Sequence, residues 1–193
     1  MDISFEADDR FRSYAGQFLL AMPDMPDPNF LHSAIALCVH DPEGAMGINL
    51  GAVIDGLSLH DLMGNFGIED IVVPDAPILR GGPVEPRRGF VLHSLDWQGD
   101  HMIPVAEGWG ISGSLDILKD IASGRGPSQY VAALGYSGWA AGQLDGELAR
   151  PGWFVGALDR DILFNATPEE RWALGFAHNG VDPHHIIAQS GHA

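Results

Sequence analysis

Cysteine is nearly missing from this chain: Cys38 is the single one in 193 residues. An internal disulfide and a Cys-based zinc finger are thereby excluded. Basic residues are scarce too, 10 Lys and Arg against 26 Asp and Glu, giving a formal net charge of −16 and a pI near 4.6. Non-specific affinity for nucleic acid comes from cations neutralising phosphates, so this balance argues against direct nucleic-acid binding. Arg80 and the pair Arg87-Arg88 are the nearest approach to a basic patch, and they read as a solvated turn. No apolar run approaches the roughly 18 residues of a membrane-spanning helix. The segment Met1 to Arg12 is acidic and lacks the basic start and apolar stretch of a secretory signal. A cytoplasmic location is expected.

What is present is a globular composition. Hydrophobic residues make up 46% and charged residues 19%, the reverse of a disordered chain. No repeat, linker or low-complexity tract divides the sequence, so residues 1–193 read as one domain, with 1–14 a helical or loosely ordered extension. The 25 glycines and 13 prolines are dispersed, which predicts many turns between short elements. Phe18–Ala21 reads as a strand. Ala34–His40 reads as a central strand covered on both faces, closed by the turn residues Asp41-Pro42-Glu43-Gly44. Ala45–Leu50 returns antiparallel. Ser58 and Asp61 signal a helix start, with Leu59, Leu62, Met63 and Phe66 on its inner face. Ile78–Arg80 is strand-like, and Gly89–His93 alternates well enough to pair with it. Ser114–Ala122 reads as a helix burying Leu115, Leu118 and Ile121, stopped by Gly124. Tyr130–Tyr136 reads as a strand, Gly138–Leu148 as a helix and Trp153–Leu158 as extended. Thr167-Pro168-Glu169-Glu170 is a capping box with proline at the first helical position, and its helix should reach His178. Hairpins and scattered helices without strand–helix alternation argue an α+β class.

Candidate chemistry is sparse. The nine histidines include no His-Glu-x-x-His pair, and no metal or cofactor is implied. Cys38 and His40 share a strand face but read as a buried thiol beside a strand-end histidine. The cluster Asp182, His184, His185 and His192 has irregular spacing and reads as a tail. A nucleophile elbow needs Gly-x-Ser-x-Gly. Gly135-Tyr136-Ser137-Gly138 and Gly110-Ile111-Ser112-Gly113 each break that spacing by one. Gly81-Gly82-Pro83-Val84 is a glycine turn without the Lys-Ser/Thr of a phosphate loop. Its functional reading is a small anion nest to which Arg80 adds charge. Trp139, Gln143 and Glu147, spaced i, i+4, i+8, would share a helix face as either core edge or pocket rim.

Several segments in collinear order resemble the YqgE/AlgH family, a bacterial group without a settled biochemical activity. They are Gly16–Pro23, Asp27–Phe30, His40–Gly47, Gly81–Val84, Leu92-His93, Leu134–Trp139, Gly142–Leu144 with Glu147, Trp153 and Gly191–Ala193. One departure stands out: the Asn-Arg-Pro that the family commonly carries after the hairpin is here Asn49-Leu50-Gly51, so if that arginine takes part in ligand binding, this chain has lost it or uses Arg80 instead. The resemblance implies a mostly antiparallel, bifurcated sheet with a small barrel-like part, surrounded by helices. It also carries the label of transcriptional regulator for one branch. The reading that follows is a non-enzymatic cytosolic regulatory or binding protein with a small-molecule or protein partner. Its candidate ligand site comprises His40, Glu43, Asn49, Arg80, Gly81, Gly82, His93, Trp139 and Gln143. The alternative is an uncharacterised enzyme, such as a hydrolase, with His40 or His93 as base and Glu43 or Asn49 assisting.

Overall fold

The computed structural model describes residues 11–183 and 185. Strands β1 (Gln17–Ala21), β2 (Ala34–Asp41), β3 (Gly44–Asn49) and β4 (Val53–Ser58) come first, followed by helix α1 (Leu59–Asn65). Next are β5 (Pro77–Arg80), β6 (Val84–Ser94), β7 (Ile103–Ala106), β8 (Trp109–Ser112) and α2 (Leu115–Ala122). The chain continues through β9 (Tyr130–Ala140), α3 (Gln143–Leu148), β10 (Trp153–Ala157), α4 (Arg160–Asn165) and α5 (Pro168–His178). The expected N-terminal extension lies mostly outside the described residues, as do His184 and His192 of the C-terminal cluster.

The sheet is α+β in class and almost wholly antiparallel, running β10-β1-β2-β3-β9-β6-β8-β7, with β4 on β5 and β5 parallel to β9. It curls into a half-barrel whose inner face carries Phe18, Leu20, Ala36, Ile48, Leu92 and Trp109. Alternation along β2 explains why its whole run is apolar. Ala36 and Cys38 face that inner core while Ile35 and Leu37 face a second cluster with Leu19, Trp139 and Leu144. Each fully buried leucine contributes roughly 1.5–3 kcal/mol. Leu163 of α4 and Phe176 of α5 pack against the inner core. α1 and α2 cover the far face of β6 and β9.

β9 bifurcates the sheet. Its first half pairs with β6 on one edge and, at Ala133 and Leu134, with β5 on the other. Beyond Gly135 that second edge pairs with β3, from Ser137 to Ala140. Gly81 and Gly82 fill the fork between the two partners. Gly81 N–H donates to Leu134 O at 2.9 Å, and Gly81 O accepts from Asn49 N–H at 2.8 Å. A Cβ on Gly81 would overlap the carbonyl of Gly135, and one on Gly82 the carbonyl of Tyr136. Gly82 also sits at φ +155. Only glycine lets these two backbones meet.

Among the described residues, the buried cation Arg171 has only backbone carbonyls as hydrogen-bond acceptors. Its Nη1 donates to Leu50 O at 2.8 Å and its Nε to Ile162 O at 3.3 Å, tying α5 to the end of β3 and to α4. Burial lowers its pKa to about 10, so it stays charged at neutral pH.

Several expectations are corrected. β6 pairs with β9 and β8, and β5 with β4 and β9, so Gly89–His93 does not pair with Ile78–Arg80. Gly138–Ala140 is strand, because the ladder to β3 outcompetes local helix preference; the helix starts at Gln143, after Gly142 in the left-handed region. Phe66 and Leu115 are exposed at 52% and 43%, and Ile117 takes the buried place instead. β4, β7, β8 and α4 were not anticipated. The Ser58–Asp61 box forms, with reciprocal bonds of 3.0 and 3.2 Å, and α5 spans its expected length.

Gly82→Ala should therefore lose at least about 2 kcal/mol, combining positive-φ strain with backbone overlap. Gly56→Ala, also at positive φ (+73) but with open space around it, should lose only about 1 kcal/mol. Urea denaturation of both variants measures the difference, and equal losses would contradict the close approach.

Candidate functional site

The fork that Gly81 and Gly82 fill opens on one side into a cleft of about 330 Å³. Asn49 reaches it from the end of β3, Arg80 from β5, Ser137 from β9, and Asn29 and Phe30 from the β1–β2 loop. Asn49 is positioned by its own side chain: Nδ2 donates to Ser33 Oγ at 3.2 Å and Oδ1 accepts from Gly51 N–H at 2.9 Å. Arg80 is exposed, and no carboxylate pairs with it among the described residues. Arg12, Arg87, Arg150 and Arg160 likewise have no carboxylate partner among the described residues, so what sets Arg80 apart is the cleft it shares with Ser137. Ser137 is 1% exposed, and its hydroxyl has no hydrogen-bond partner among the described residues. A buried, unsatisfied hydroxyl costs roughly 1–3 kcal/mol, so it calls for a partner from outside the protein. The notion of an anion nest finds few donors: Gly81 N–H is engaged by Leu134 and Pro83 has none.

The remaining sequence-selected residues fall elsewhere. Trp139 and Gln143 converge on Glu147, one on a strand and the other on a helix. Trp139 Nε1 and Trp153 Nε1 donate to Glu147 Oε2 at 2.9 and 3.1 Å, while Gln143 Nε2 donates to Oε1 at 3.0 Å. This carboxylate, which accepts from two indoles, locks the β9–α3 turn onto β10. Phe30 borders both the fork cleft and the shallower surface over Trp153. Glu43 lies exposed on the β2–β3 turn, and among the described residues no hydrogen bond or ion pair joins it to Asn49 or Arg80.

His40 is buried against the N-terminal segment. Tyr14 stacks on its ring at 5.5 Å and donates its backbone N–H to Nδ1 at 3.1 Å. The hydrogen of the neutral ring therefore sits on Nε2, which lies 3.5 Å from Asp145 Oδ2, beyond a well-formed hydrogen bond. Cys38 stands on the same strand, fully enclosed, with burial pushing its thiol up to about 12. It is inert as a nucleophile at neutral pH.

His93 is the other buried imidazole, on β6. Nδ1 lies 2.9 Å from Ser94 O and Nε2 2.9 Å from Ser112 Oγ, a serine that sequence reasoning had set aside. The faulty elbow Gly110-Ile111-Ser112-Gly113 was the signal that could have found it. Next to it, the Asp96 carboxyl is held below the usual value first by the Ser128 side chain, then by Ser94 Oγ, which donates to it, and by Ser128 N–H.

The family can now be stated. The AlgH-like family model (DUF179) matches residues 18–184, and the chain belongs to that family. A UPF0301 protein of Novosphingobium aromaticivorans is 50% identical over 92% of this chain and 96% of its own. Another from Sphingopyxis alaskensis is 47% identical, covering 93% and 96%. The solution structure of AlgH from Pseudomonas aeruginosa superposes with a TM-score of 0.74 at 36% identity, covering 100% of both chains. The crystal structure of DIP2367 from Corynebacterium diphtheriae, 20% identical over 90% of this chain and 91% of its own with a TM-score of 0.70, shares the fold.

His93 makes stability depend on pH. Burial holds its pKa below the ordinary 6.5, so between the two values the unfolded chain binds a proton that the native chain does not. Its contribution is fully present above pH 6.5 and is lost as pH falls through the native value. Asp96 acts lower, below about pH 4, where its depressed native pKa matters. Urea midpoints measured from pH 7.5 to 5 should fall for the native chain and fall less for His93→Gln. Parallel profiles would show that His93 is not responsible.

Proposed function

We propose that this protein is a cytoplasmic ligand-binding regulator whose fork cleft takes a small molecule bearing an anionic group. The observation that supports this reading is the convergence, in one cleft, of an arginine without a carboxylate partner and a buried hydroxyl without a hydrogen-bond partner among the described residues. The volume suits a small metabolite, since such sites run from about 300 to 1,000 Å³. Arg80 would pair with a carboxylate or phosphate, Ser137 would donate to an oxygen deeper in, and Phe30 with Leu134 would cover the apolar part. Where the family resemblance implies an arginine after the hairpin asparagine this chain has Leu50, and Arg80 lines the same cleft as Asn49.

Regulation would pass through the ligand or a protein partner. A surface this acidic repels duplex DNA, so a gel shift at low salt should show no retention. Among the described residues no helix is long and apolar enough to cross a membrane.

The test compares small molecules released from natively purified protein with those from Arg80→Gln and Ser137→Ala. The native chain should retain an anionic compound. Its affinity, measured by calorimetry, should fall at least tenfold in either variant, as the loss of a charge-assisted or buried hydrogen bond of about 1.5–3 kcal/mol requires. An enriched compound that binds both variants as tightly as the native chain would refute the cleft as the site.

A further inference from the structure

The serine and histidine that a broken motif concealed meet in the fold. β6 and β8 are antiparallel, with Val91 opposite Ser112 and His93 opposite Gly110. Ser112 and His93 are thus diagonal neighbours on one face of the ladder. The backbone decides their protonation. Ser94 O can only accept, so His93 Nδ1 carries the hydrogen and Nε2 presents its lone pair to Ser112. The Ser112 hydroxyl donates to it at 2.9 Å, which is the arrangement a general base needs to activate an alcohol. Trp97 meets the imidazole edge-on at 5.3 Å and 88°, fixing the ring plane.

Of the pair, Ser112 (2% exposed) borders open space and His93 (0% exposed) does not. Ser112 is the last residue of β8, followed by Gly113, Ser114 and α2, so it occupies a strand–turn–helix junction. The three residues border a cleft of about 170 Å³ whose walls include Phe90 and Leu118, with Arg87 beside them. Ser114, the helix N-cap, makes no side-chain hydrogen bond to the first turn of α2. The N–H groups there lack a side-chain acceptor and are of the kind that stabilise an oxyanion. A small apolar cavity suits a short, uncharged acyl group.

We propose that Ser112 and His93 form a nucleophile–base pair that hydrolyses short-chain acyl esters. Ser112 Oγ forms a bond to the ester carbonyl carbon while its proton passes to His93 Nε2. The carbonyl oxygen becomes an oxyanion facing the start of α2. Collapse breaks the carbon–oxygen bond to the leaving alcohol, which takes the proton from His93. Water then attacks the acyl-serine, giving one proton to His93; the acid departs and that proton returns to Ser112. No oxidant, metal or further reactant is required. This cleft is distinct from the fork cleft, although Leu134 borders both, so either assignment can fail without the other.

The experiment uses the full chain with p-nitrophenyl butyrate as substrate and a fluorophosphonate as covalent probe. The folded native protein should release p-nitrophenolate and carry the phosphonyl group on the Ser112 peptide, located by mass spectrometry. Ser112→Ala and His93→Gln should each lower kcat/KM at least about 100-fold, the scale seen when such pairs are broken. Ser123→Ala, outside both clefts, should change nothing. Label on any other residue, no label at all, or hydrolysis undiminished in Ser112→Ala overturns the proposal. Because the labelling position is read on the native chain, it decides the matter even if a variant fails to fold.

Discussion

Two stretches of backbone, Gly81-Gly82 and Gly135-Tyr136, lie against each other where the sheet divides, and much of the molecule follows from that contact. A side chain on either glycine of the first stretch would push β5 off β9. β5 carries β4 with it and ends in Arg80, and the connection from β5 into β6 carries Pro83. The fork is thus a geometric constraint set by missing atoms. It also explains the cleft: two partners diverging from one strand cannot both stay packed beyond the fork, and the space between them has to be filled or left open.

Charge sets the second constraint. With 26 acidic residues against 10 basic ones, most carboxylates have no cation to pair with. Asp41, Asp61, Asp75, Asp96 and Asp159 instead accept from backbone N–H groups at turns and helix starts. Among the described residues Glu147 accepts only from neutral donors. Acidity is thus used locally to end strands and begin helices. Arg171 shows the converse, a cation holding carbonyls in the interior.

How much of this the sequence disclosed depends on the range of the interaction. Features that close within a few residues were legible: the Ser58–Asp61 box, the Thr167–Glu170 box and the doubly buried run of β2. Pairings set by distant segments were misread. Trp139, Gln143 and Glu147 have helical spacing and do converge, yet Trp139 belongs to a strand because β3 pairs with it. The partners of β6 could not be read from alternation, since period two states which face is buried and leaves the neighbour open. Asn49, Arg80, Gly81 and Gly82 were chosen together and stand at one fork; His40, His93 and Glu43 were chosen with them and stand apart. Ser137 was dismissed for wrong motif spacing, and only its burial without a partner marks it.

The two buried histidines show why residue type and burial alone do not assign chemistry. Both lie on interior strands and both touch aromatic rings. His40 receives a backbone N–H at Nδ1, so its remaining nitrogen carries hydrogen and faces a carboxylate with nothing to deprotonate. His93 meets a backbone carbonyl at the same atom, so its remaining nitrogen is a free lone pair facing a hydroxyl. One polarity of peptide group makes a structural peg and the other makes a base. That polarity follows from which backbone group the ring meets, an N–H of the N-terminal segment for His40 and the carbonyl of its own neighbour for His93. A reading based on histidine positions in the sequence treats the two alike, whereas the hydrogen-bond direction at Nδ1 separates them.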